Sequence, residues 1–210
     1  MTGFRFDEAE FRARARRFLL HAPPPEQSRG DDDLNPEARA IPYERTPRPA
    51  AVLVPVIRRA PELTVLLTER TAHLRSHAGQ VAFPGGAIDG GEGPVAAALR
   101  EAHEEVALDP RHVEPLGFLD GYLTRTSYAV TPVIGLVDAG AEFTPHEAEV
   151  ALVFEVPLRF LMSEANHEKH SLEWQGKERH FHAMRYGGHY VWGATAGMIR
   201  NFFERMYREP

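Results

Sequence analysis

The segment from Gly86 to Leu108 restricts the fold more than any other part of this 210-residue chain. It reads GAIDGGEGPVAAALREAHEEVAL, so a glycine-rich turn leads into a run that begins with Pro94. Proline is favoured at the first position of a helix, and the Asp109-Pro110 pair is typical of a helix end. Apolar side chains recur at helical spacing, at Val95, Leu99, Ala102 and Val106. The segment therefore predicts a tight turn and then an amphipathic helix with one buried face.

Three carboxylates, those of Glu101, Glu104 and Glu105, are predicted to share a second face of this helix. Like charges at this spacing destabilise an isolated helix by a few tenths of a kcal/mol, roughly, for each pair. A hard divalent cation reverses that effect, because Mg²⁺ and Mn²⁺ bind clustered carboxylate oxygens. Three glutamates on a helix are usually a solvated face. The upstream turn and its additional acid, Glu92, favour a metal site instead, and Arg100 can brace Glu104.

The composition excludes several classes of protein. Hydrophobic residues at 43% and charged residues at 26% are typical of a globular domain with a substantial core. The absence of cysteine excludes disulfide frameworks, thiolate zinc sites and thiol nucleophiles, and it fits a reducing compartment. A net charge of -6 disfavours nucleic acid as a partner. We expect a cytoplasmic protein without a membrane partner that acts on a small molecule, as a monomer or a homodimer.

The chain divides at residue 50 on the basis of its pattern. Residues 1–49 combine a helical pattern over 6–21 with a proline-rich stretch, which predicts a docked helix and an extended arm. Residues 50–210 predict one α/β domain with a last helix from about Thr195. Its strands are predicted at 51–57, 63–67, 79–83, 113–122, 128–137, 149–156 and 179–186, the first two as a hairpin.

The spacing of Gly86, Glu92, Arg100-Glu101-Ala102-x-Glu104-Glu105 and Leu108 resembles the box of the Nudix hydrolases. That resemblance implies an α/β/α sandwich with a mixed β-sheet and hydrolysis of a diphosphate that depends on Mg²⁺ or Mn²⁺. One position departs, because Ala107 stands where the box has glycine. A left-handed conformation there would cost alanine about 1 kcal/mol, whereas a helix that continues would accept it.

A second resemblance concerns the substrate. Residues 66–70 and 74–86 are similar to the motif upstream of the box in Nudix coenzyme A diphosphatases, as are residues 48–55 and 192–196. The likeness extends from about residue 48 to residue 205. It implies hydrolysis of coenzyme A or its derivatives to 4′-phosphopantetheine and adenosine 3′,5′-bisphosphate.

The two resemblances also imply roles for individual residues. Glu101 and Glu105 are expected to be the main metal ligands, with Glu104 joining them or acting through water. Arg100 and Glu92 would hold the box together, while Gly85 and Gly86 allow the backbone to approach a ligand closely. Arg70 and Arg75 can bind phosphate oxygens in a bidentate manner. The general base stays open between a box glutamate and an acid downstream, Glu149.

Two other functions stay open. The first is a Nudix enzyme for another dinucleotide, such as ADP-ribose or NADH, which the upstream motif disfavours. The second is a non-catalytic nucleotide-binding regulator, although such a protein has little use for a cluster of repelling carboxylates. Histidines at 167, 170, 180, 182 and 189 could form a transition-metal site, but we expect outward-facing polar side chains, with His180 and His182 on one strand face.

Overall fold

A computed structural model describes residues 3–43, 45–73, 78–174 and 176–208. The strands are β1 Arg29–Gly30, β2 Arg48–Ile57, β3 Thr64–Arg70, β4 Val81–Ala82, β5 Gly85–Ala87, β6 Val113–Phe118, β7 Tyr122–Thr124, β8 Tyr128–Val137, β9 Val150–Pro157, β10 Glu168–Trp174, β11 Lys177–Tyr186 and β12 His189–Trp192. The α-helices are α1 Glu8–Phe18, α2 Pro94–Val106, α3 Leu158–Leu161 and α4 Gly193–Met206. Short 3-10 helices lie at Pro36–Ala40, Pro110–His112 and Glu164–Asn166.

A mixed sheet forms the centre of the molecule and has nine strands within the described residues. Its main path runs β1-β7-β8-β2-β3-β4, while β5, β6 and β9 pair with β2, β8 and β3 respectively. The pairs β2/β8 and β1/β7 are parallel, and the other pairs are antiparallel. A separate antiparallel sheet has the order β10-β11-β12. The predicted hairpin of the first two long strands is confirmed, with Val56 opposite Val65.

Alternation along β2 divides the core into two layers. Ala51, Leu53 and Ile57 pack with α2 on one face of the sheet. Val54 and Val56 belong to the opposite layer, which contains the apolar face of α4. Helices on both faces of a mixed sheet confirm the predicted α/β/α sandwich.

Residues before the predicted boundary at residue 50 are part of this architecture. Asp7 caps α1, because its carboxylate accepts a hydrogen bond from the Glu10 N–H at 2.9 Å. Phe11 is fully buried in the layer that contains α4. Further along, β1 pairs with β7, and an ion pair joins Asp32 to Arg125. The domain boundary itself stays a prediction.

Several elements differ in extent from their prediction. The strand expected at 79–83 is only the two residues of β4, and the strand expected at 113–122 stops at Phe118 and resumes as β7. Of the small second sheet, the sequence pattern predicts part of β11 alone. Its polar, histidine-rich strands carry no clear apolar period. No helix among the described residues combines the length and apolar character that crossing a membrane would require.

Helix α2 ends in a left-handed residue, Ala107, with φ 56° and ψ 22°. The alternative in which the helix continues through this position is therefore wrong. The Ala107 N–H donates to the His103 carbonyl, and the Leu108 N–H returns to the Ala102 carbonyl at 3.4 Å. This closure resembles the common glycine-terminated helix end, built here with alanine.

Substitution of Ala107 by glycine should raise the free energy of unfolding by about 0.5–1 kcal/mol, because glycine adopts a positive φ without steric cost. The same substitution at exposed Ala96, inside α2, should lower it by about 0.5 kcal/mol. Urea denaturation of both variants measures the two effects. A loss of stability in Ala107→Gly would contradict the strain assigned to this position.

Candidate active site

The tight turn predicted at Gly85 and Gly86 is instead part of strand β5. This strand runs so close to β2 and α2 that a Cβ at either glycine would meet another group. A Cβ built on Gly86 would lie 2.6 Å from Oε2 of Glu101. One built on Gly85 would lie 2.6 Å from the Cα of Val52 in β2. The Gly85 N–H donates to Oε2 of Glu105 at 3.3 Å. The glycine pair thus brings backbone into contact with two carboxylates of α2.

The three predicted carboxylates of α2 have different surroundings. The exposed fraction of the side chain is 7% for Glu105, 18% for Glu101 and 56% for Glu104. A helix turns by about 100° per residue, so Glu101 and Glu105 lie only about 40° apart, whereas Glu104 lies about 100° from Glu105. The expectation of one shared face is therefore correct for Glu101 and Glu105, and Glu104 points outward.

Arg100 holds the outer part of this site together. Its Nε donates to Glu92 at 3.0 Å, and its Nη1 donates to Glu101 at 2.9 Å and to Glu104 at 3.1 Å. Its Nη2 donates to the Ala87 carbonyl at 3.1 Å. These hydrogen bonds keep the pKa of Glu92 below its usual value. The guanidinium therefore joins the turn to the helix and neutralises part of the carboxylate charge.

Glu105 is the buried acid of the site. The pKa of its carboxyl is raised to about 7, mainly by burial and to a smaller extent by the charges of Glu101 and Glu149. The Arg70 guanidinium and the Gly85 N–H oppose this shift. Arg70 stands 3.9 Å away, which is too far for a direct hydrogen bond. The site therefore contains a buried carboxylate whose charge is only partly compensated.

Arg70 stands beside an irregularity in β9, where Ala151 has no register partner in β3. The register between β3 and β9 shifts at Glu69 and Arg70, so that Arg70 lies opposite Val150. A bulge of this kind redirects a side chain at the end of a strand. Among the described residues, the buried Nε of Arg70 has no hydrogen-bond acceptor. An anion in the cleft would supply one.

A cleft of about 910 Å³ adjoins these groups. Glu101, Glu105 and Arg70 line it, together with the predicted downstream acid Glu149. The Thr71 N–H donates to the Glu149 carbonyl at 3.0 Å, which holds that acid beside the end of β3. A volume of this size accommodates a nucleotide-sized molecule.

The carboxylates that line the cleft are suitable ligands for a hard divalent cation. Glu101, Glu105 and Glu149 offer only carboxylate oxygens, and the charges of Glu101 and Glu149 raise the electrostatic cost of charging Glu105. A cation beside Glu105 would remove that cost. Within the described ranges, no three acidic or histidine side chains already converge around one point. Glu101 instead bonds to Arg100.

The structure brings together most of the predicted site residues. Those lining the cleft are Arg70, Gly85, Gly86, Glu101, Glu105 and Glu149. Arg100 and Glu104 do not line the cleft, and a hydrogen bond joins the two side chains. Arg75 lies outside the described residues.

The predicted orientation of the histidines is only partly correct. His180 is exposed, but His182 is half-buried. Burial and the charge of Arg200 lower the pKa of His182 to about 4. Val191 and Met184, on the same sheet face as His182, belong to the core layer with α4, and this explains the burial.

Two other parts of the cleft wall were not predicted to belong to the site. One is the segment 29–35, which was expected to be an extended arm. Asn35 fixes it, because its side chain both accepts from the His180 N–H and donates to the His180 carbonyl, each at 2.8 Å. The other is the small sheet, which contributes Lys169, Arg179 and Phe181. Only tertiary contacts place these residues, and no local motif signals them.

Substitution of Gly85 and of Gly86 by alanine should have different effects on stability. Gly85→Ala should lower the free energy of unfolding by more than about 2 kcal/mol, because its Cβ would meet the β2 backbone. Gly86→Ala should lower it by less than about 1 kcal/mol, since the end of the Glu101 side chain can move away. Chemical denaturation distinguishes them. Equal losses would contradict the close packing described here.

Comparison with known proteins agrees with this geometry. A family model described as the NUDIX domain matches residues 47–187. A protein named uncharacterized Nudix hydrolase NudL, from Shigella flexneri serotype 5b (strain 8401), is 44% identical over 168 residues, which cover 80% of this chain and 86% of that protein. The protein of the same name from Enterobacter sp. (strain 638) is 42% identical over 164 residues, covering 78% and 85% respectively.

A solved structure shows the same fold. DR0079 from Deinococcus radiodurans is 16% identical, with a TM-score of 0.50 over 80% of this chain and 87% of that chain. At this identity the likeness concerns the fold alone.

The family model matches the greater part of the chain, and the relatives match over most of their own length. This chain therefore belongs to the Nudix hydrolase family.

Proposed function

We propose that this Nudix hydrolase cleaves the diphosphate bond of coenzyme A or its derivatives, with Mg²⁺ or Mn²⁺ as cofactor. The observation that carries this proposal is the partly compensated Glu105 carboxylate, which lines one cleft together with Glu101, Glu149 and Arg70. Choice of coenzyme A depends on the resemblance of residues 66–86 to the upstream motif of coenzyme A diphosphatases.

In this proposal Glu101 and Glu105 hold the cation, and Glu104, which points outward and does not line the cleft, acts through water. A divalent cation bound there would screen the negative charge of the diphosphate and polarise a phosphorus atom. Arg100 keeps Glu101 in place from outside the cleft through its 2.9 Å hydrogen bond. The Gly85 N–H holds one oxygen of Glu105 and leaves the other toward Arg70.

Arg70 binds oxygens of the diphosphate, since its guanidinium lies in the cleft and its Nε needs an acceptor. A water molecule attacks one phosphorus; a new P–O bond forms, and the bridging P–O bond breaks. Glu149 is placed to accept the proton of that water, because it lines the cleft beside Glu105 and remains exposed to solvent. The products are 4′-phosphopantetheine and adenosine 3′,5′-bisphosphate.

Removal of one charged ligand should abolish most of the activity. Glu105→Gln and Glu101→Gln should each lower kcat on coenzyme A by about 10²-fold or more at saturating Mg²⁺. The matched control is Glu142→Gln, at an exposed position outside the cleft, which should leave kcat unchanged. Steady-state kinetics with a thermal melt of each variant measures this. Full activity in the Glu105 variant would contradict its assignment as a ligand.

The substrate assignment is tested by a panel of diphosphates with Mg²⁺ or Mn²⁺. We expect kcat/KM on coenzyme A to exceed that on ADP-ribose or NADH by at least about tenfold, because a site for coenzyme A would contact its pantetheine arm and 3′-phosphate, which the other two lack. Mass spectrometry identifies the products. A preference for ADP-ribose would favour the other dinucleotides, and nucleotide binding without turnover would favour a regulator.

A further inference from the structure

The small sheet presents a row of aromatic rings on one face. The rings of Phe181 and Trp192 meet edge to face with centroids 5.4 Å apart, and Tyr190 stacks on Trp192 at 6.5 Å. Phe181 and Trp192 are half-buried and line the cleft, whereas Tyr190 lies outside it. Part of an aromatic surface is therefore open to a molecule in the same cleft as the carboxylates.

A cation lies beside these rings. Arg179 precedes Phe181 by two residues in β11, so both side chains lie on the same face of the strand. Arg179 also lines the cleft. An aromatic ring next to a guanidinium can bind a flat base and a phosphate group together.

Two hydrogen bonds and one ring contact join this wall to the strands beside Arg70. The Thr195 hydroxyl, at the start of α4, donates to the Val81 carbonyl at 3.0 Å. His189 of β12 hydrogen-bonds through Nδ1 to Glu69 at 3.0 Å and stacks on Phe154 at 3.9 Å. Glu69 and Val81 are register partners in β3 and β4, directly before Arg70. The wall is therefore attached to the end of β3 that carries Arg70.

We propose that this wall binds the nucleotide end of the substrate: the adenine ring stacks on Phe181 beside Trp192, and Arg179 binds the 3′-phosphate. The inference rests on the proposed function, since it assigns one end of coenzyme A. A purine has the flat π face that such a wall recognises, whereas the pantetheine arm is flexible and saturated. Arg70 lies 3.9 Å from Glu105 and so belongs to the diphosphate end.

Binding of the product adenosine 3′,5′-bisphosphate, measured by calorimetry, tests the stacking without requiring turnover. Phe181→Leu keeps an apolar side chain in β11 and should weaken this binding about tenfold. In steady-state kinetics it should raise KM for coenzyme A by a similar factor while kcat is retained. A diphosphate of pantetheine that lacks the adenine should show no change in KM.

The phosphate contact is tested by a second pair of variants. Arg179→Gln should reduce the preference for coenzyme A over dephospho-coenzyme A by at least about tenfold. Arg185→Gln is its matched control, because Arg185 lies on the same strand face but stacks over Tyr190 at 4.4 Å, outside the cleft. This control should keep the wild-type preference.

The outcomes separate this inference from the proposed function. Wild-type protein that fails to hydrolyse coenzyme A overturns the proposed function. Wild-type protein that hydrolyses it, with KM and product affinity unchanged in Phe181→Leu, overturns the stacking assignment. An unchanged preference in Arg179→Gln overturns the phosphate contact. The predicted pattern in both variants, with folded protein by thermal melt, supports the nucleotide wall.

Discussion

The close approach of the Gly85–Gly86 backbone to α2 is the constraint on which the site depends. Strand β5 pairs with β2, with Gly86 opposite Ala51 and Gly85 opposite Val52. A side chain at either position would meet β2 or Glu101. The buried face of α2 is itself made of small residues, Ala98 and Ala102 among them, so the helix can lie near the sheet. Both β5 and the facing side of α2 therefore carry small residues where they meet.

That packing has an electrostatic consequence. Moving α2 toward the sheet carries Glu105 out of solvent, and burial is the largest cause of its raised pKa. On the outer side of the helix, Arg100 bonds to Glu92, Glu101 and Glu104 and compensates the charge of these three carboxylates. On the inner side, Glu105 has only the Arg70 guanidinium at 3.9 Å and the Gly85 N–H as compensating groups. Charge compensation is thus concentrated outside the cleft, and the deficit lies inside it, where a cation and an anionic substrate would bind.

Sequence reasoning succeeded where local pattern determines structure. The start of α2 followed from Pro94, whereas its end, expected just before Asp109-Pro110, lies earlier, at Val106. The hairpin of β2 and β3 followed from two apolar runs. Proximity of Glu101 to Glu105 follows from helix geometry alone. The left-handed residue Ala107 was not determined this way, because alanine does not favour either outcome locally. Its conformation results from the chain's need to leave α2 toward Leu108, which is buried.

The rest of the cleft depends on contacts between distant parts of the chain. Asn35 joins the segment before β2 to β11, and Asp32 joins it to Arg125, so these residues enter the wall only after folding. Strands β10 to β12 carry histidine, lysine and glutamate in place of an apolar alternation. Their pairing is decided by the turns between them and by packing on α4. Glu101 and Glu105 lie with the glycines within about twenty consecutive residues, whereas the rest of the cleft lining comes from several remote parts of the chain, among them the segment before β2, strands β7 and β8, the small sheet and α4. For this reason the class of reaction is visible in the sequence, and the groups that select the substrate become visible only in the folded chain.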